Sequence, residues 1–358
     1  MVVEVMSEPM RILIVRVGAM GDVLHAMPAV AALRKAVPDA EIGWAIEPKW
    51  SPLLRAGEDA LPSSPAMPLV DRVHLVATKE WSKKPFSLAT LRSVLALRRE
   101  LRARHYDIAI DLQGSIRSSV IARMSGARRV VGSATTRESQ ARWLYSQSVG
   151  LQRAHVVEQA AEIVSAVLES PVKSAIAPLP IDPAAEQWCH DLLRDRPHGP
   201  LVVLAPTAGW GAKEWPAERY RAVAQALAAR GCTVLVNASP VGIDAVADLV
   251  VAGSNGAASA VACTLPQLTS LLRHTSVLIA GDSGPLHLAA ALRVPVVSIF
   301  GPTDPVRTGP WGSPSRVLRH ATSITDHRRH REPEAGLLQI GVEQVVSAAE
   351  SLLLLARG

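Results

Sequence analysis

Short apolar runs rich in β-branched residues recur along this chain, most followed by a longer segment whose apolar residues have helical spacing. RILIVRV leads into DVLHAMPAVAALRKAV; EIGWAIE and RVHLV follow; then come SLATLRSVLALRRELRA and DIAIDLQ. This alternation restricts the fold to βα units around a parallel sheet. It stops at SPVKSAIAPLPIDP, with Pro171, Pro178, Pro180 and Pro183, and restarts with LVVLAP, PAERYRAVAQALAAR, CTVLVNA, a helix near Ile243–Val251, SVLIAGD, PLHLAAAL and VPVVSIFG. The proline-rich stretch reads as a linker between two α/β domains, residues 10–178 and 184–335, and 358 residues suffice to fill two cores. The last segment, 336–358, contains VEQVVSAAESLLLLARG and is expected to form a helix packing back toward the first domain. Tandem doubly wound domains bind ligands at the carboxyl ends of their strands.

Several function classes fall away. Aromatic residues make up 4% of the chain, too few for a surface built on base stacking, so nucleic acid is not an expected partner. Cys189, Cys232 and Cys263 have no ligand spacing, which points to a reducing compartment without structural zinc. MVVEVMSEPM carries Glu4 and Glu8 and does not resemble a secretory signal, and no apolar run approaches the ~20 residues a membrane span needs. A cytoplasmic protein is expected. Its net charge of +6 is uneven: Lys and Arg outnumber Asp and Glu 23 to 17 in residues 1–180, and match them 15 to 15 afterwards. Eleven arginines lie between Arg92 and Arg142, which suits an anionic partner or membrane face, although solvated helix faces would look the same.

Three segments carry chemistry. In VRVGAMGDVLH a strand runs into Gly18 and Gly21 and then a helix containing Asp22 and His25. The glycines do not fit the dinucleotide fingerprint. Asp22 is either a helix cap or a general base facing an attacking hydroxyl, and His25, one turn later, is either structural or on the same side. In APTAGWGAKEWPAERY, Thr207 and Lys213 lie in a glycine-containing loop after a strand, and a lysine there can neutralise a diphosphate. In LIAGDSGPLHLAAALRVPVVSIFGPTDP, Asp282, Ser283 and Gly284 form a strand-to-helix turn whose amides can face an anion, with His287 in the first helical turn. No P-loop, nucleophile elbow, HExxH or DxD-like pair is present, so no metal or cofactor is expected, and charge on a leaving diphosphate would fall to lysine, histidine and amides.

Taken together, from RILIVRVGAMGDVLHAMPAV through AKEWPAERY to GDSGPLHLAAALRVPVVSIFGPTDP and GLLQIGVEQVVSAAESLL, these segments resemble the heptosyltransferase family of lipopolysaccharide core assembly. The resemblance implies two facing Rossmann-like domains (the GT-B architecture) and an inverting, metal-independent transfer from an ADP-sugar to a Kdo-lipid A type acceptor. It also implies peripheral contact with the inner face of the inner membrane. It makes Asp22 the catalytic base, Lys213 the phosphate-holding lysine, and Asp282, Ser283, Gly284 and His287 the donor motif D-[ST]-G-x-x-H. DVLH and GPTDP look more like the member adding the first heptose to Kdo than the one adding the second. The family often has a glutamate after the VLVNAS strand, where this chain offers only Asp244. A second heptosyltransferase or another member of the family, a nucleotide-sugar epimerase, and a non-catalytic nucleotide-sugar binding protein remain alternatives.

Overall fold

The computed structural model describes residues 9–197, 199–238, 245–326 and 328–355. The chain divides into two compact units between Pro180 and Ile181, inside the proline-rich stretch. The first unit holds β1 (Arg11–Val15), β2 (Glu41–Ile46), β3 (Arg72–Leu75), β4 (Ile108–Asp111), β5 (Arg129–Ser133) and β6 (Gln147–Val149) in the order β3-β2-β1-β4-β5-β6. The second holds β7 (Leu201–Ala205), β8 (Thr233–Ala238), β9 (Ser259–Ala262), β10 (Val277–Gly281), β11 (Val296–Phe300) and β12 (Ser315–Arg319) in the order β12-β11-β10-β7-β8-β9. All pairings are parallel, with Val15 opposite Asp111 in one sheet and Ala280 opposite Ala205 in the other. Read from its own first strand, each unit has the same winding. The connections diverge between β1 and β4, and again between β7 and β10. Those two strand pairs are the switch points where doubly wound sheets open a crevice for ligands.

The central strands are almost wholly apolar because helices cover both faces. Ile12, Leu13, Ile14 and Val15 of β1 and Leu278, Ile279 and Ala280 of β10 are wholly buried. In the first unit, the helix Met20–Ala36 packs against the helix Val156–Leu168. On the sheet face carrying Leu13, Val15 and Val130, the helices Leu88–Arg102 and Ile116–Met124 add Leu97, Leu101, Ile121 and Ala122 to one core layer. In the second unit, Val345, Ala349 and Leu352 of the helix Val342–Leu355 join Tyr220, Val223 and Leu227 of the helix Ala217–Ala228 in one core. That C-terminal helix thus joins the second unit's own core. Trp215 and Arg219 secure its approach: Trp215 Nε1 donates to Ile340 O at 3.1 Å, and an Arg219 Nη to Leu338 O and Ile340 O at 2.7 Å each. Among the described residues no helix is long and apolar enough to cross a membrane.

Candidate active site

At the first switch point, the turn after β1 is pinned from both sides. Val17 N donates to Gln113 Oε1 at 2.8 Å, Trp44 Nε1 to Arg16 O at 3.1 Å, and Glu47 N to Val17 O at 3.0 Å. The Trp50 ring lies so close that a Cβ on Gly18 would be 2.8 Å from its Nε1, so any larger residue there would have to displace that ring. From this fixed turn Arg16 reaches Leu112 O and Asp22 O, and its Nη2 pairs with Asp22 Oδ1 at 2.9 Å. Ala19, not Asp22, is the N-cap of the helix Met20–Ala36, with Gly21 in its first turn. Asp22 is the third helical residue, and its Oδ2 accepts from Ala19 N at 3.0 Å. The Asp22 side chain keeps 43% of its surface exposed while Arg16 keeps 15%. At such exposure the pair itself adds at most ~1 kcal/mol to stability. Its geometric effect is larger: an aimed carboxylate with free lone pairs can take a proton from a hydroxyl.

His25 is buried, and its ring meets His155 edge-on with centroids 5.9 Å apart. His155 Nδ1 in turn accepts from Val157 N at the start of the helix Val156–Leu168. His25 therefore sits in the seam between two helices. Asp111, at the end of β4, was not singled out by motif. It is fully buried and accepts from Tyr145 Oη at 2.7 Å, Gln113 N at 2.8 Å, Ser118 Oγ at 2.9 Å and Gly114 N at 3.2 Å. Burial pushes its pKa above the usual aspartate value, and these neutral donors offset only part of that cost.

At the second switch point, Lys213, Asp282 and His287 form a cluster. Lys213 Nζ bonds Asp282 Oδ2, and His287 Nε2 lies 3.0 Å from Asp282 Oδ1. Their side chains are 11%, 7% and 7% exposed respectively. Burial alone would raise the Asp282 pKa, but His287 and then Lys213 outweigh it and hold the carboxyl well below its usual range. The loop bearing Lys213 fits because Gly281 lacks a Cβ, which would lie 3.0 Å from Lys213 O. Its other side meets the segment 328–334. Ala212 N donates to His330 O at 3.1 Å, and a Cβ on Gly211 would fall 1.7 Å from Arg331 O.

Ser283 is the N-cap of the helix Gly284–Ala291, yet its side chain makes no cap hydrogen bond, and its buried Oγ has no partner. The same holds for Thr303 Oγ1, in the loop after β11, and for Trp210 Nε1, whose ring carries Lys213 Nζ 4.1 Å from its centroid. Buried hydroxyls and indole N–H groups normally have partners. Orphaned donors beside a lysine, a histidine and a helix N-terminus, whose first amides lack intrahelical acceptors, make a receptor for anionic oxygens at this sheet edge. Thr207 lies half-buried two residues past β7 at the same sheet edge. Asp244 lies outside the described residues. Among the described residues, no group of three or more His, Cys, Asp or Glu side chains is placed to hold a metal.

Thus Lys213, Asp282, Ser283, Gly284 and His287 come together in one unit, while Asp22 stands with Gly18 and Gly21 in the other. Arg16, Trp210 and Thr303 lie outside the residues picked from motifs. Only the GPTDP loop hinted at Thr303.

The sequence model described as glycosyltransferase family 9 (heptosyltransferase) matches residues 94–337. Lipopolysaccharide heptosyltransferase 1 of Pseudomonas aeruginosa is 28% identical over 85% of this chain and 82% of its own length. The Escherichia coli protein of that name is 28% identical over 87% of this chain and 93% of its own. Among solved structures, the E. coli heptosyltransferase WaaC with ADP superposes with a TM-score of 0.76 at 25% identity, covering 96% of this chain and all of that one.

Proposed function

The chain belongs to glycosyltransferase family 9, and on that premise we propose that it transfers heptose from ADP-heptose to the Kdo region of the lipopolysaccharide inner core, as the first heptose added. The observation that carries this reading is the buried Lys213–Asp282–His287 cluster with the unpartnered donors of Ser283 and Trp210 beside it and that of Thr303 in the loop after β11, which suits a nucleoside diphosphate. Relatives named lipopolysaccharide heptosyltransferase 1, and a likeness to a heptosyltransferase structure holding ADP, support this reading.

In the reaction, the acceptor hydroxyl oxygen attacks the anomeric carbon and Asp22 takes its proton. The bond from that carbon to the β-phosphate oxygen breaks, and the sugar inverts. Charge growing on ADP in the oxocarbenium-like transition state meets Lys213, His287, the Ser283 hydroxyl and the first amides of the helix Gly284–Ala291, without a metal ion. The acceptor is lipid-linked, so the enzyme works in the cytoplasm at the inner face of the inner membrane. The test is ADP release from ADP-heptose with and without Kdo-bearing lipid A, comparing wild type with Asp22→Ala, in the presence of chelator, with product mass as confirmation. The expected outcome is acceptor-dependent release that falls ~10²- to 10⁴-fold in the variant. Donor binding without release on any acceptor would favour a binding protein. Altered sugar released without acceptor would favour an epimerase.

A further inference from the structure

The helix Leu88–Arg102 buries only Leu97 and Leu101. Leu88, Leu91 and Leu95, spaced i, i+3, i+7, are 71%, 54% and 49% exposed, and Phe86, just ahead of the helix, is fully exposed. At about 100° per residue the leucine stripe lies across the helix from Leu97 and Leu101. Packing within this unit therefore does not explain it, and a contiguous apolar patch of this kind marks a contact surface.

The stripe is set among cations. Arg92, Arg98, Arg99 and Arg102 are exposed on the same helix, as are Lys83, at the end of the helix Thr78–Lys83, and Lys84 in the turn that follows it. Between Lys79 and Arg104 there are eight Lys and Arg residues against Glu80 and Glu100. The neighbouring helix Ile116–Met124 and the turn Ser139–Leu144 send Ile121, Ala122 and Ala141 into the same core layer as Leu97 and Leu101. Their outward residues therefore lie on the same side of the sheet, and among them Val120 and Trp143 are 43% and 74% exposed.

We propose that this face of the first unit is a docking surface for an anionic lipid bilayer. Phe86 and the leucines enter the boundary between headgroups and acyl chains, and the arginines pair with lipid phosphates. Self-association through the same face would set like charges against each other, whereas an anionic membrane complements them. The proposal deepens the reading of a lipid-linked acceptor and rests on it for its purpose, but not for its test.

The test is co-sedimentation of the full chain, without substrates, with vesicles containing phosphatidylglycerol or made of phosphatidylcholine alone. Wild type is expected to bind the anionic vesicles at least about tenfold better, with the advantage lost in high salt. A Leu91→Glu/Leu95→Glu variant is expected to lose about tenfold in binding while its melting temperature and its turnover on a water-soluble Kdo acceptor hold. An Arg98→Glu/Arg99→Glu variant is expected to lose both affinity and salt dependence. Unchanged vesicle binding in the leucine variant, or a dimer-to-monomer shift caused by it, overturns the proposal. Vesicle binding as described in a protein that transfers sugar to no acceptor leaves the docking surface standing and removes the transferase reading.

Discussion

Asp111 and Asp282 occupy matching places in the two units. One ends β4, the other follows β10, and each lies at its sheet's switch point, almost wholly buried. Their titration nonetheless moves in opposite directions: Asp111 is pushed up by burial against neutral donors, while Asp282 is pulled down because His287 and Lys213 outweigh burial. The fold supplies the buried site, and the charge of the partners determines what the carboxylate does there. Around Asp111, four hydrogen bonds tie the turn after β4 to Ser118 and Tyr145, which makes it a structural hub. Around Asp282, two side chains able to carry positive charge are held in place beside donors that have no partner. Only the second arrangement is arranged to receive an anion.

The sharpest way to break this comparison is to remove its neutral half. Asp111→Ala strands the Tyr145 and Ser118 hydroxyls and two backbone amides, and is expected to cost about 3 kcal/mol of stability in denaturant titrations while ADP affinity per folded molecule stays near wild type. Lys213→Ala tests the charged half. Loss of a charge-assisted bond to phosphate should weaken ADP binding by ~10- to 100-fold in calorimetry. Unaltered binding would make Asp282 a hub of the same kind as Asp111.

The pH dependence of stability sharpens the contrast. The folded-state pKa of Asp282 lies below the ordinary 3.8, so its stabilising contribution is present above that pH and fades as pH falls through the lowered value. The pKa of Asp111 lies above 3.8, so its contribution is greatest below that pH and fades as pH rises through the raised value. The stability gap between wild type and Asp282→Asn should therefore shrink on acidification, and the gap for Asp111→Asn should widen. Parallel curves from acid to neutral pH would refute the assignment.

The smallest effect comes from a pair of serines. Ser118 Oγ bonds Asp111 Oδ2 and Ser115 O at 2.9 Å each, so Ser118→Ala should lower stability by about 1 kcal/mol and spare ADP affinity. The Ser283 hydroxyl has no partner in its own helix, so Ser283→Ala should leave the melting temperature unchanged and weaken ADP binding several-fold.

Much of the architecture was legible because buried parallel strands such as RILIV and SVLIAG are uninterrupted apolar runs. Three of the four edge strands were not: QSV, SAVA and SRVLR are short and partly exposed. The glycine turns disclosed Asp22 and the Asp282–His287 segment, since both follow such runs directly. Their partners are another matter. Arg16 reaches Leu112 O from 96 positions away in sequence, and Asp111 draws its meaning from Tyr145, 34 positions on. His25 likewise finds His155 on a different helix. Local spacing carries no trace of these contacts because chain closure, not periodicity, creates them. The helix Val342–Leu355 shows the same limit, since its apolar stripe reveals that it packs without revealing on what.

That helix has a consequence for the order in which the molecule is made. Every strand of the first sheet has been synthesised by Val149, and the boundary between the units is reached at Ile181, so the first unit can close while the rest is still on the ribosome. The second cannot. Val297 and Ile299 of β11 and Leu227 share their core with residues up to Leu353, the last buried side chain among the described residues. Until then the nascent second unit presents an open apolar flank, and a ribosome that stalls before Val342 yields a finished first half attached to an aggregation-prone second one.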